Sequence, residues 1–188
     1  MLHARGAYGD RSVKKLRFIQ PHLLIRRPTS LIDYGCGQST LADNLNVPSL
    51  TRVDRYDPAI PRYATLPTHV YDVLVNVDVL EHVPEAQLEP LLKQMRSLCR
   101  DALIVIDTVP ATQILPNGEN AHCTIRPADW WKAKLQPIFG DLQRIHVARS
   151  GRAAFITWRY SFADRLRLAL LQARAHGAYW ARRIVGLR

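Results

Sequence analysis

The segment LIDYGCGQSTL, residues 31–41, is the most informative part of this sequence. An apolar run ends there in Asp33, and glycines follow at alternate positions, Gly35 and Gly37. Glycine permits backbone angles and a close ligand approach that a side chain would prevent. The order is typical of a buried strand that turns sharply toward a helix around a bound ligand. Asp33 would then accept hydrogen bonds from that ligand or orient the loop.

The glycine spacing does not favour a dinucleotide site of the dehydrogenase type. That fingerprint, GxGxxG, requires a third glycine, but the chain has Thr40 at that position and Ser39 one residue earlier. A loop glycine is also a common turn residue without any ligand. The interpretation of the loop therefore depends on the strands and loops that come after it in the sequence.

A second strand-like run, in TRVDRYDPAI at residues 51–60, ends in Asp57. In a nucleotide-binding βαβ unit, an acidic residue about 20 positions beyond the glycine loop accepts hydrogen bonds from ribose hydroxyls. Asp54 also fits that spacing. Pro58 follows Asp57 directly and marks the end of the strand, because proline cannot donate to a sheet. Asp57 is therefore the preferred ribose ligand.

A third run, YDVLVNVDVLEHVPE at residues 71–85, is rich in β-branched residues and ends in a polar loop. That loop contains Asp78, Glu81 and His82, and a Pro-Glu pair then opens a helix. We interpret this run as the fourth strand of a doubly wound sheet, followed by the loop at its carboxyl end.

Taken together, the blocks DYGCG, YDPAIPRY, DVLEHV and NGENAHCTIRPADWW resemble a bacterial and phage group of small class I S-adenosylmethionine (SAM) methyltransferases. That group has blocks of the form DYGCGxG, YDPAIP, DVLEH and DGRNAHxxxxPxxWW. The resemblance extends from about Tyr8 to Tyr160. The chain departs from the group at Ser39, at Asn117 for aspartate and at Glu119 for arginine.

The resemblance implies an α/β fold: a Rossmann-like, doubly wound, mostly parallel sheet with a C-terminal antiparallel hairpin strand. It implies SAM as the cofactor and a methyltransferase domain over residues 1–160. The residues that it places around SAM are Asp33, Tyr34, Gly35, Cys36, Gly37, Asp57, Pro58, Asp78 and Val79.

SAM carries an activated methyl group, so transfer to a hydroxyl or amine needs alignment and, for a hydroxyl, a base. His82 and His122 are the candidate catalytic residues, and His122 lies in the loop after the strand predicted at residues 102–107. His82 has an alternative role as a brace for the helix that follows it.

A divalent metal site is a further hypothesis. Asp78, Glu81 and His82, together with His122, resemble the grouping in small-RNA terminal 2′-O-methyltransferases and, in part, that in quinone-biosynthesis O-methyltransferases. Two carboxylates and two imidazoles can bind a divalent ion. The alternative, which the sequence favours, is a family loop without metal.

Composition agrees with one globular domain. The 188 residues are 47% hydrophobic, which excludes a disordered chain. Cys36, Cys99 and Cys123 show no pairing pattern, and this favours reduced thiols in a cytoplasmic protein. The amino terminus lacks the apolar core of a signal peptide, and no apolar run reaches the roughly 20 residues of a membrane span.

The net charge of +10 is concentrated near the carboxyl terminus. Residues 161–188 carry six arginines against one acid, Asp164, with apolar residues at helical spacing. We predict a basic amphipathic helical extension, with a break near Gly177 as an alternative. Three roles remain open for it: a helix docked on the domain, contact with an anionic membrane surface, or contact with nucleic acid, which is the least favoured.

Residue patterns predict the remaining elements. We expect helices at 11–25, 39–45, 85–99 and 127–135, and strands at 30–34, 51–56, 71–77, 102–107, 142–148 and 152–160. The third strand of a doubly wound sheet should be abbreviated or absent, because few residues separate the second run from the next. Ser150-Gly151 should form the hairpin turn.

The leading functional hypothesis is SAM-dependent methyl transfer to a small-molecule or glycan- or lipid-linked acceptor, at oxygen or nitrogen. The alternatives are an RNA 2′-O-methyltransferase that uses a divalent metal, and a non-catalytic SAM-binding module.

Overall fold

A computed structural model describes residues 15–147 and 151–184, and it contains a six-stranded sheet flanked by helices. The strands are β1 (Ser30–Tyr34), β2 (Arg52–Tyr56), β3 (Tyr71–Val77), β4 (Cys99–Asp107), β5 (Gln143–Arg144) and β6 (Arg152–Ile156). The helices are α1 (Leu16–Arg26), α2 (Glu85–Ser97), α3 (Ala128–Phe139) and α4 (Phe162–Ile184). Short 3₁₀ turns lie at Ala42–Asn44, Pro61–Tyr63 and Leu80–His82.

The sheet order is β2-β1-β3-β4-β6-β5. The first four strands in this order are parallel, and β6 and β5 complete the sheet in antiparallel pairing. This arrangement confirms the predicted fold class. The chain passes from β1 to β2 on one side and to β3 on the other, so the strand order reverses between β1 and β3. In open α/β sheets, ligands bind in the crevice at the carboxyl ends of such strands.

The core lies on both faces of the sheet, as the sequence of β4 illustrates. Ala102, Ile104 and Ile106 pack with α2 and α3, whereas Leu103 and Val105 pack with α1 on the opposite face. This alternation follows from the two-residue period of a strand. Both faces are apolar because helices cover both, as expected for parallel strands. Of the two adjacent tryptophans, Trp131 is fully buried in the core.

The predicted helix at 39–45 was wrong, since only the turn Ala42–Asn44 forms there. The Ser39 hydroxyl accepts the N–H of Leu41, and the Asn44 amide donates to the carbonyl of Thr40. Side-chain bonds of this kind compete with helical ones. Leu45 then adopts an extended conformation, so the chain reaches β2 without a full helix.

No strand lies between β2 and β3 along the chain in the part that the structure describes, as the sequence predicted. β2 is consequently an edge strand. Arg52, Asp54 and Arg55 lie along it, and charged side chains on an edge strand discourage pairing with another chain.

The carboxyl-terminal half differs from the prediction in its boundaries. β5 is limited to Gln143–Arg144 and β6 ends at Ile156, and α4 runs through Gly177 without a break. Tyr8, Gly9, the segment 11–14, Ala148 and Ser150 lie outside the described residues. Among the described residues, no helix has both the length and the apolar character needed to cross a membrane.

Candidate active site

The glycine loop is tied to the end of β2 by backbone hydrogen bonds. The N–H groups of Gly35 and Cys36 both donate to the carbonyl of Tyr56, at 2.8 and 3.2 Å. Gly35 has φ of 76°, and a Cβ added to it would lie 2.5 Å from the Val79 Cγ2. Gly35 is therefore required for both backbone angle and space, and it brings the β3 loop against the β1 loop.

Asp57 follows β2 directly and binds two backbone N–H groups. Its Oδ2 accepts the N–H of Gly37 at 2.8 Å, and its Oδ1 accepts the N–H of Ala59 at the same distance. Each carboxylate oxygen has a second lone pair, so the residue can hold the loop and still accept ligand hydroxyls. Among the described residues, a Cβ on Gly37 would meet only Asp57 Oδ2, at 3.9 Å, so this part of the structure leaves space beside the carboxylate.

Asp33 is a buried carboxylate at the end of β1, with Oδ2 lacking a hydrogen-bond partner among the described residues. Burial raises the pKa of Asp33 from 3.8 to about 7, partly offset by the Arg55 guanidinium. Asn76, on the neighbouring strand β3, is also fully buried, and its Oδ1 is likewise unpartnered. Unsatisfied polar atoms are costly in a core, and their presence here points to a ligand.

Three other predicted cofactor residues differ in how they face the crevice. The Tyr34 side chain is buried in the core and donates to Gln94 Oε1 at 2.6 Å, so only its backbone remains for a ligand. Cys36 is buried, and burial raises the pKa of its thiol to about 12. Pro58 is exposed at the rim.

Asp78 follows β3 in a left-handed conformation, with φ of 56°. This angle is uncommon outside glycine, although aspartate tolerates it better than most residues. Its carboxylate forms an ion pair with the buried Lys15, next to the start of α1. Its Oδ1 has no hydrogen-bond partner among the described residues. The strained backbone and the ion pair hold this carboxyl group at the carboxyl end of β3.

His82 and His122 lie side by side, with ring centroids 4.8 Å apart and the rings nearly perpendicular. His82 Nδ1 lies 2.7 Å from the carbonyl of Ala121, and His122 Nδ1 lies 2.7 Å from that of Val109. Because a carbonyl only accepts, Nδ1 must carry the proton in both rings, which leaves the Nε2 of each neutral imidazole as the basic atom. Burial lowers the pKa of His82, which favours this neutral form.

Glu81 connects the histidine pair to two further carboxylates. It is fully buried; Oε1 accepts the N–H of Asp107, and Oε2 has no partner among the described residues. The atoms of Glu81, His82 and His122 that could bind a metal ion lie within 4.8 Å of one another. The same is true of Asp78, Glu81 and Asp107. The structure thus joins the four predicted metal-ligand residues as two overlapping sets of three, with Asp107 as an unpredicted member.

Asp107, Lys15 and Asn120 were not predicted from the sequence. The Asn120 Oδ1 accepts the N–H groups of Ala111 and His122, and its amide donates to the Ala111 carbonyl. Asn120 therefore shapes the loop that presents His122. The sequence could have indicated this role, because asparagine side chains often bond the backbone N–H two residues later, and His122 is two residues after Asn120. Asp107 ends a strand run at the same edge as Asp33, which was a second signal.

A sequence profile described as a methyltransferase domain matches residues 7–175, which is most of the chain. The chain belongs to the methyltransferase-domain family. No curated protein matches this methyltransferase in sequence. The family uses SAM, and the protein is a SAM-dependent methyltransferase.

Solved structures share the fold of this methyltransferase. The DhpI–SAH complex is 14% identical, with 78% of this chain and 82% of that chain covered at a TM-score of 0.57. The methyltransferase domain of a bacterial CtHen1 is 14% identical, with 77% and 97% covered at 0.59. Human N-acetylserotonin methyltransferase in complex with SAM is 13% identical, with 78% and 54% covered at 0.52.

The residues present fit SAM by their geometry and their chemistry. The open space at Gly37 lies beside Asp57, and a buried carboxylate, Asp33, has an unpartnered oxygen near the same loop. SAM offers hydroxyls and positive charge, which carboxylates recognise. The side chains of Asp57 and Asp33 therefore suit the cofactor that the family uses.

Proposed function

We propose that this methyltransferase transfers a methyl group from SAM to an oxygen or nitrogen of a small-molecule or glycan- or lipid-linked acceptor. The observation that carries the proposal is the pair formed by His82 and His122, with both Nδ1 atoms bound to backbone carbonyls. A side chain fixed in this way presents one basic nitrogen in a defined direction, as proton removal from an acceptor requires.

The cofactor site in this proposal is built from the loops after β1, β2 and β3. Asp57 accepts the ribose hydroxyls, and Gly35 and Gly37 allow the backbone to approach the ligand. Asp33, Cys36, Pro58, Asp78, Val79 and the Tyr34 backbone complete the surroundings. SAM supplies an electrophilic methyl group, so the protein needs to supply alignment and desolvation.

His122 is the proposed base. It is largely buried, and Asn120 and Val109 hold its backbone N–H and its Nδ1, respectively. His82 supports the ring from the side and is the second candidate. Glu81 lies within 4.8 Å of both rings, where a carboxylate stabilises the imidazolium that proton uptake would produce.

Metal-assisted transfer to a hydroxyl, including an RNA 2′-hydroxyl, is the second candidate function. It is favoured by the unpartnered Glu81 Oε2 together with the two histidines, whose Nδ1–H···O=C bonds are the arrangement found behind metal-bound imidazoles. Glu81, His82 and His122 would hold the ion, with Asp78 nearby. A divalent ion there would lower the proton affinity of the acceptor hydroxyl.

Release of S-adenosylhomocysteine during screening of acceptor pools tests the proposal. For any acceptor found, we expect His122→Gln to lower turnover by about 100-fold or more, in line with the usual contribution of a general base. SAM affinity should change little, because His122 is not among the proposed cofactor residues. The exposed His69 provides a matched control, and His69→Gln should leave turnover unchanged. Full turnover by the His122 variant would contradict its role as base.

Calorimetric titration with magnesium, manganese and zinc separates the two candidates. Binding that is lost in Glu81→Gln and His82→Ala, with activity abolished by chelators, would support the metal-assisted function. No binding, together with undiminished activity in chelator, would remove that function and leave direct base catalysis. Steeply salt-dependent binding of RNA would favour an RNA acceptor.

A further inference from the structure

α4 presents two different apolar faces. The half-buried face includes Leu171, Ala175 and Tyr179 and packs on α1, where the Arg17 guanidinium lies 3.7 Å from the centre of the Tyr179 ring. The other face includes Phe162, Leu166 and Leu170, which are 79%, 56% and 67% exposed. We call these three residues the outer stripe.

The outer stripe follows helical geometry. Its members are spaced four residues apart, so they lie one above the other along the helix. Ala173 and Gly177 continue the same face and are also exposed. Single exposed apolar residues are ordinary on protein surfaces, but a contiguous row marks an interaction surface. Some apolar residues of α4 therefore remain exposed although this helix packs on α1.

Arginines flank the outer stripe on both sides. With 100° per residue, Arg165 lies on one flank and Arg167 and Arg174 on the other, each roughly 80–100° from the stripe. All three are exposed. The one acid of α4, Asp164, lies on the far side of the helix, and its carboxylate accepts the N–H and hydroxyl of Ser161. The stripe thus lies between positive flanks.

We propose that the outer stripe of α4 binds the surface of an anionic lipid bilayer. An interfacial helix inserts its apolar face at the level of the acyl chains, while arginines beside it contact anionic headgroups. The net charge of +10 attracts the whole molecule to such a surface. This inference concerns α4 alone and does not depend on the acceptor or on methyl transfer.

Charge and polarity disfavour three other binding partners of the outer stripe: a second copy of the chain, its own residues 1–14, and nucleic acid. A second copy seated on the stripe would bring its own flanking arginines against these. Residues 1–14 carry Arg5, Arg11 and Lys14 against Asp10, so this segment of the chain also lacks the negative charge that the flanks require. Nucleic acid would satisfy the arginines but would leave the apolar stripe against phosphates. An anionic bilayer offers negative headgroups to the arginines and acyl chains to the outer stripe.

Co-sedimentation with vesicles tests the proposal. The full chain should bind vesicles of phosphatidylcholine mixed with phosphatidylglycerol much more strongly than pure phosphatidylcholine vesicles, and added salt should weaken binding. Leu166→Ser with Leu170→Ser should lower the affinity by about tenfold or more. Arg165→Gln with Arg167→Gln should lower it too and reduce its salt dependence.

The control variant is Ile114→Ser, which removes an equally exposed apolar residue (57%) from the loop before Asn120. It should bind vesicles like the unmodified chain. Circular dichroism and thermal unfolding verify that each variant folds. Absence of binding to the anionic vesicles, or undiminished binding by the Leu166/Leu170 variant, would overturn the proposal. Stripe-dependent dimers in sedimentation analysis without vesicles, or stripe-dependent RNA binding in place of vesicle binding, would also overturn it.

Discussion

Gly35 and Gly37 have different roles, although both have positive φ. A side chain at Gly35 would collide with Val79, so we expect Gly35→Val to abolish SAM binding by disrupting the loop itself. At Gly37 the one described atom within 4 Å of the added Cβ would be Asp57 Oδ2, at 3.9 Å. Gly37 therefore allows a binding effect to be separated from a folding effect.

We predict that Gly37→Ala destabilises the free protein by only about 1–2 kcal/mol, the usual cost of a left-handed alanine. SAM affinity should fall by about tenfold or more, because the methyl group occupies space beside the ribose-binding carboxylate. Urea unfolding and calorimetry measure the two effects. Gly118→Ala is the matched control for the backbone cost, because Gly118 also has positive φ and no other described residue lies within 4 Å of its Cβ position. Equal SAM affinity in Gly37→Ala would contradict the ribose assignment of Asp57.

Asp33 should make stability depend on pH. Burial raises its pKa from 3.8 to about 7 in the folded protein, so between these values the folded state holds the proton more tightly than the unfolded chain. The free energy of unfolding contributed by Asp33 is therefore highest below the unfolded-state pKa and decreases as pH rises through this window. The slope is at most about 1.4 kcal/mol per pH unit.

Asp33→Asn should remove this slope and stabilise the SAM-free protein near neutral pH. Urea unfolding at several values between about pH 5 and pH 8 measures the difference between variant and unmodified chain. His22, with a pKa lowered to about 4 by burial, contributes in the opposite direction, but it is present in both proteins and cancels. Asp129→Asn, at an exposed carboxylate, is the control. Parallel pH profiles for Asp33→Asn and the unmodified chain would contradict a raised pKa of Asp33 in the folded protein.

Two secondary-structure elements differ from what the local sequence pattern predicts: the segment after the glycine loop and the helix α4. The segment after Gly37 has helical periodicity but forms only one 3₁₀ turn, because Ser39 and Asn44 bond the local backbone. α4 shows the reverse, since Gly177 does not break the helix. Packing of α4 against α1 offsets the unfavourable helix propensity of glycine.

We predict that Gly177→Ala stabilises the protein by about 1 kcal/mol, the difference in helix propensity between the two residues. In the part of the chain that the structure describes, nothing outside the backbone of the helix itself lies within 4 Å of the Cβ position, so the added methyl group meets no obstacle there. Urea unfolding followed by circular dichroism measures the change. The reverse substitution at an exposed position of the same helix, Ala173→Gly, should destabilise by a similar amount. No change in either variant would show that α4 is not helical through these positions in solution.

At the scale of the whole molecule, the crevice joins the loops after three strands, so cofactor binding should stabilise the entire domain. SAM at about 100 times its dissociation constant should add about 2.7 kcal/mol to the free energy of unfolding. For a chain of this size, that corresponds to a rise of roughly 5–10 °C in melting temperature. Differential scanning fluorimetry measures it.

Asp57→Ala should lose this rise, because the variant lacks both the proposed ribose contact and the anchor for Gly37 and Ala59. The exposed Asp43 provides a comparison at the same side of the sheet, and Asp43→Ala should keep most of the rise. A normal SAM-induced shift in the Asp57 variant would show that another residue binds the ribose.

Local sequence patterns were sufficient to predict the fold class, the glycine loop, the place of Asp57 at a strand end and the strands β1 to β3. These features are encoded locally: hydrophobic period, glycine and proline positions and strand-end acids require only neighbouring residues. The same local signals predicted that His82 and His122 lie after strand ends. The resemblance of four sequence blocks indicated the family.

Which polar groups meet depends on how the whole chain packs in three dimensions. The parallel register of β3 and β4 brings Glu81 to the N–H of Asp107, and the loop held by Asn120 brings His122 to His82. Lys15 reaches Asp78 from 63 positions away, and the docking of α4 on α1 leaves the outer stripe exposed. Contacts between residues distant in the chain depend on packing of the whole domain, which local propensity does not specify.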